Sequence, residues 1–316
     1  MSILNRQLTS KQTRKWLLVL LISLVTLAGY ESLSYIAGLY QLSFFIEIAL
    51  ALYLYLFLSV STFFDLRLKP AGSFARSSDY YHYSKQPILK WTRIFSRALH
   101  MRFRYLGSWQ HFRHFQNYLI LPSLLYWAVV MLLFLRPFTD FSKQVLAVVG
   151  TIFVAGVIWH LKTVFINYRA SSAFLHEAMF VTAVATAFLL FAGALGIVWY
   201  FGLPSYVFVG SVVVFSFLIM YQSLFRESLV NPYDLLLVVL GCLMVGFIAM
   251  LVAKYWTVNY YSAGLLLADV IYLYWGLVLH AIRGRLKPLT VFEHVIVFLF
   301  ILFFVLATTN FQARIG

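Results

Sequence analysis

The chain has 316 residues, 63% of them hydrophobic, 19% aromatic and 11% charged, with a mean hydropathy of +0.87. Soluble domains carry about 45–50% apolar and about 25% charged residues, which excludes an ordinary water-soluble globule. The apolar residues fall in runs of about 20, the length that crosses a ~30 Å hydrocarbon core as a helix, and the short alternating segments of a transmembrane barrel are absent. The expected fold is therefore an all-α integral membrane protein, a polytopic bundle of about nine transmembrane helices with one cytoplasmic amphipathic interfacial helix.

In chain order the spans are expected near 16–37, 42–64, 117–135, 145–165, 174–200, 204–225, 233–254, 260–281 and 290–309, all within one transmembrane domain. The first follows a basic stretch, but its apolar run continues from Trp16 through Tyr30 to Ala37 without a small-residue cleavage site in polar context, so it reads as a retained span. Glu31 on the first span and Glu47 on the second flank a short turn and should lie at similar depth.

The only long polar segment, 65–116, is a basic loop. Pro70, Gly72, Ser77 and Ser78 mark its first part as irregular. After Pro87 the pattern becomes helical over 88–106: Ile88, Trp91, Phe95, Leu99, Phe103 and Leu106 recur at three and four, with Lys90, Arg93, Arg97 and Arg104 on another face. An aromatic stripe opposite a basic face suits the membrane interface, where anionic headgroups attract each nearby Lys or Arg by about 1 kcal/mol. Lys90, Arg93, Arg97, Arg102, Arg104 and Arg113 are thus candidate contacts to anionic headgroups of the inner leaflet. The plainer alternative is a topogenic connecting helix, because basic inner loops are the rule; the same residues need no nucleic acid to explain them.

The later spans carry ionisable residues, which are expensive at membrane depth and are functional candidates for that reason. One set clusters at one face: His160, His176, Glu177, His280, Glu293 and His294. Neutral imidazole is the commonest metal ligand, so these residues could hold a metal or haem between helices. The adjacent pairs His176-Glu177 and Glu293-His294 point about 100° apart on a helix, and no second His follows to make a zinc-protease motif. The helix dipole accounts for acids at helix starts (Glu177, Glu293) and histidines at helix ends (His160, His280), but not for His176 and His294.

The second set is Asp269, near the middle of its span among Tyr residues, with Glu31 and Glu47. Carboxylates inside a bundle bind cations or relay protons, and a hydrogen-bonded packing role is the alternative. A Gly-rich phosphate loop is missing, which argues against ATP hydrolysis. Gly193, Gly196, Gly241 and Gly246 read as close-packing positions, and the lone Cys242 as a small packing residue.

Placing the N-terminus in the cytoplasm puts 20 of the 24 Lys and Arg on the inner side, so a cytoplasmic-membrane protein with its N-terminus inside and C-terminus outside is expected. Three functions compete: non-ATP-driven transport or binding of a small solute or lipid, with Asp269, Glu31 and Glu47 as coupling candidates; a metal- or haem-dependent membrane enzyme using the inner histidines; and a non-catalytic subunit assembling with a partner or with itself.

Overall fold

A computed structural model describes residues 2–37, 42–63, 109–135, 140–166, 173–226, 232–256 and 259–309. Among these the protein is all-helical: α1 (Ser2–Ala37), α2 (Leu42–Phe63), α3 (Trp109–Leu135), α4 (Asp140–Ile166), α5 (Ala173–Tyr200), α6 (Ser205–Arg226), α7 (Pro232–Tyr255), α8 (Tyr260–Ile282) and α9 (Pro288–Thr308). Six carry apolar stretches long enough to cross a membrane, within α1, α5, α6, α7, α8 and α9. Shorter apolar segments, Leu42–Phe57, Leu119–Leu135 and Lys143–Trp159, lie in α2, α3 and α4.

Each apolar run expected from sequence overlaps a helix, and several helices extend further. α1 starts at Ser2 and α3 at Trp109, ahead of the apolar runs expected from 16 and 117. A helix is not obliged to stop where the hydrocarbon does, since its hydrogen bonds close within its own backbone. Local chemistry sets the ends around α8: the Asn259 side-chain oxygen accepts from Tyr261 N at 2.8 Å, and Gly284 takes a positive φ of 63° in the turn that follows. Pro288 then opens α9 at the position where a missing N–H is harmless.

α5 is the hub. It packs principally on α8 and α3 and also on α6, while α6 pairs with α7, and α1 packs on α4, α2 and α3. Its apolar stretch is 61% buried, against 11% for that of α9, which touches the bundle mainly through α8. The outward faces of α7 (Leu236, Leu240, Leu243, Phe247, Met250) and α9 (Phe292, Phe300, Phe303, Phe304) are large and apolar. Such surfaces have no place in water and are the ordinary exterior of a helix in lipid, so the protein is a membrane protein.

At Gly264 the helices α5 and α8 meet backbone to backbone. A Cβ added at Gly264 would meet Ala192 N at 2.7 Å, Ala192 Cβ at 2.8 Å and Ala192 Cα at 2.9 Å, so the two backbones touch there and only glycine fits. Gly193, Gly196, Gly241 and Gly246 also lie at helix contacts, but against the side chains of Met131, Leu135, Tyr274 and Val213.

Candidate functional site

Hydroxyls buried in a membrane helix normally satisfy themselves on their own backbone, and here most do. Thr26, Thr151, Thr186 and Ser223 each donate to the carbonyl four residues back. Asp269 does not follow this rule. It lies in the α8 interior, 2% exposed, and neither carboxyl oxygen has a hydrogen-bond partner among the described residues. An ionised carboxylate left unpaired in an apolar interior is costly, so the group must be carried as the neutral acid or with a companion cation. The Trp275 indole N–H and the His280 Nδ1, both on α8, are likewise buried and unpartnered.

From Asp269 towards the α8 C-terminus, Tyr272, Gly276 and His280 recur at three, four and four residues, so they share a face. α9 lays His294 against that face. The imidazole stacks on the Tyr272 ring at 5.1 Å and 11°, and meets the His280 ring edge-on at 5.3 Å and 81°. Gly276 makes room for it: a Cβ there would sit 2.7 Å from His294 Nε2 and Cδ2. The Phe180 ring of α5 lies 5.9 Å from that of Tyr272. His294 Nδ1 lies 2.9 Å from Thr290 O, and because a carbonyl only accepts, Nδ1 carries the proton. Nε2 is then the free lone pair of the neutral ring. His280 lies within electrostatic reach of His294, Arg283, Glu177 and Arg285, and Tyr272 of Asp269 and Glu293.

The structure therefore brings His280 and His294 together and sets Asp269 further along the same face of α8, with Glu177 and Glu293 exposed. Glu31 and Glu47 do not join them: both are exposed on α1 and α2, whose principal contacts are with each other and with α3 and α4. Among the described residues no group of three or more His, Cys, Asp or Glu is placed to hold a metal ion. Lys90, Arg93, Arg97, Arg102 and Arg104, with the expected interfacial helix over 88–106, lie outside the described residues, as do the side chains of Arg113, His160 and His176. Tyr272 as the ring that His294 stacks on, and Gly276 as the space for His294, are not apparent from any single residue. Their 3-4-4 spacing with Asp269 and His280 is the signal that points to them.

A separate cleft lies between α2, α3 and α4, lined by residues that include Tyr53, Pro122, Ser123, Tyr126 and Ile158. Its hydroxyls are engaged: Tyr53 and Ser123 pair at 3.0 Å, and Tyr126 donates to Ala49 O at 2.6 Å. These bonds fasten α2 to α3 across a stack of aromatic rings.

The family described as a protein of unknown function (DUF5656) matches residues 88–309, which includes α8, α9 and the whole Asp269 column. No curated protein and no solved structure matches the chain.

Proposed function

We propose, for a chain that belongs to the DUF5656 family, a transporter-like role in the cytoplasmic membrane: non-ATP-driven movement of a small solute, coupled to a proton or small cation held by Asp269. One observation carries this reading. Asp269 is buried at mid-helix with both oxygens unpartnered, a state without structural benefit but suited to a group that loads and unloads charge. A hydrogen-bonded packing role, the alternative for such a residue, lacks among the described residues the hydrogen bond it requires.

The topology that goes with this role has nine crossings. α2, α3 and α4 have 22, 27 and 27 residues, and at 1.5 Å per residue even the shortest reaches about 33 Å, enough for a ~30 Å core. The positive-inside distribution puts the N-terminus and the Arg283–Lys287 turn in the cytoplasm. The segment 88–106 is then an interfacial helix whose Lys90, Arg93, Arg97, Arg102 and Arg104, with Arg113, contact anionic headgroups.

The test is proton flux in proteoliposomes, read with an internal pH-sensitive dye under a potassium-diffusion potential. Asp269→Asn, which keeps the shape and removes the titratable group, is expected to abolish protein-dependent flux, and Asp269→Glu to retain part of it. Equal flux by Asp269→Asn and the parent protein would overturn the coupling role.

A further inference from the structure

α9 is held to the bundle differently at its two ends. Val305, near the far end, is its one buried residue, with Phe298 and Ile301 packed half-buried on the core. The end that follows the Arg283–Lys287 turn has no buried residue, and there His294 makes the ring contacts with α8. Its seat is close: the Tyr272 ring stacks on it, His280 meets it edge-on at 5.3 Å, and its Nε2 edge faces the α8 backbone at Gly276. Because Nδ1–H is committed to Thr290 O, a second proton enters only at Nε2, against a glycine methylene that accepts no hydrogen bond. Both imidazoles are half-buried, so water reaches them from the helix ends. The charged groups acting on His280 are His294 of α9, Arg283 and Arg285 of the turn, and Glu177 of α5. Glu293 precedes His294 on α9, and α7, the third helix packed on α8, carries Asp234 at its start.

We propose that the His280–His294 pair is a proton-operated latch: neutral, it holds the start of α9 against α8, and protonation from the side of the Arg283–Lys287 turn releases it. Two imidazolium rings at this separation repel, and Arg283 and Arg285 add charge of the same sign. Glu177 and Glu293 are exposed, so the carboxylates able to pair with charged rings lie outside the seat. Release is local, because Val305 keeps the far end of α9 on the core while the turn around Gly284, at φ 63°, serves as the pivot. The released form gains population as the pH falls through the imidazole range, about 6.5. The latch makes no use of Asp269 and goes beyond the transport reading: it ties the position of a membrane helix to the acidity of one aqueous phase.

Pulsed electron resonance on the full chain in lipid nanodiscs tests it. Spin labels go on Phe292→Cys of α9 and Tyr233→Cys at the start of α7, both exposed positions, in a Cys242→Ser background that removes the single native thiol. From about pH 8 to about pH 5, which brackets the imidazole range, the distance is expected to lengthen by roughly 5 Å, one helical pitch. His294→Phe keeps an uncharged ring in the seat and is expected to give the same distance at both ends of that range. His280→Gln, a second variant that leaves His294 in place, removes one of the two charges and is expected to shrink the change. An unchanged distance in the labelled parent overturns the latch. So does the parent's full change in both His294→Phe and His280→Gln. Neither labels nor variants touch Asp269, so this measurement and the Asp269→Asn flux assay can fail separately.

Discussion

Replacing Gly264 by Ala probes the contact between α5 and α8 directly. The added methyl would lie 2.7–2.9 Å from Ala192 N, Cβ and Cα. Carbon contacts are comfortable at about 3.5–4.0 Å, so the α5 and α8 axes must separate by roughly 1 Å, and backbone atoms offer no rotamer to relieve the clash. Overpacking of this kind costs up to about 3 kcal/mol, and the better helix propensity of Ala returns about 1, leaving a net loss of about 2 kcal/mol. That corresponds to about a 30-fold shift in the folding equilibrium. Gly210 is the internal control: it is exposed on α6 with no atom within 4 Å of an added Cβ, so Gly210→Ala should be neutral or gain up to about 1 kcal/mol. Titration from mild detergent into dodecyl sulfate, followed by circular dichroism, measures both. Gly264→Ala as stable as Gly210→Ala would refute backbone contact between α5 and α8.

Two further expectations come from the same structure. Because Asp269 makes no hydrogen bond among the described residues, Asp269→Asn should change stability in the same titration by less than about 1 kcal/mol; a loss of about 3 kcal/mol or more would mark a paired, structural carboxylate instead. If the 88–106 segment rests on anionic lipid, changing Lys90, Arg93, Arg97, Arg102, Arg104 and Arg113 to Gln removes about 1 kcal/mol of attraction per residue. Native mass spectrometry of the purified protein should then show anionic lipid lost from the variant, and retention equal to the parent would remove that role.

The helices were legible in the sequence because each satisfies the membrane by an apolar run, and Gly, Pro and charge punctuate the runs. Their full lengths were not, since the α1 segment around Arg6, Lys11 and Arg14 is helical without being apolar. Asp269 stood out for a general reason, the cost of a carboxylate at membrane depth. Glu31 and Glu47 share that cost on paper, yet they lie on outward faces of α1 and α2; a sequence gives their depth along a helix but not which helix faces them. The same limit hid the Tyr272–His294 stack, which depends on how α9 turns back across α8 after Gly284, and the Gly264–Ala192 contact, which depends on the crossing point of two helices far apart in the chain.

The central claim is that the interior of this membrane protein holds a carboxyl able to take up a proton, and chemical modification tests it most directly. A hydrophobic carbodiimide reaches carboxylic acids through lipid and adds to the protonated form, and peptide mapping by mass spectrometry locates the adduct. The account expects modification at Asp269 by the hydrophobic reagent and little by a water-soluble carbodiimide. An unmodified Asp269, or equal labelling by both reagents, would contradict it.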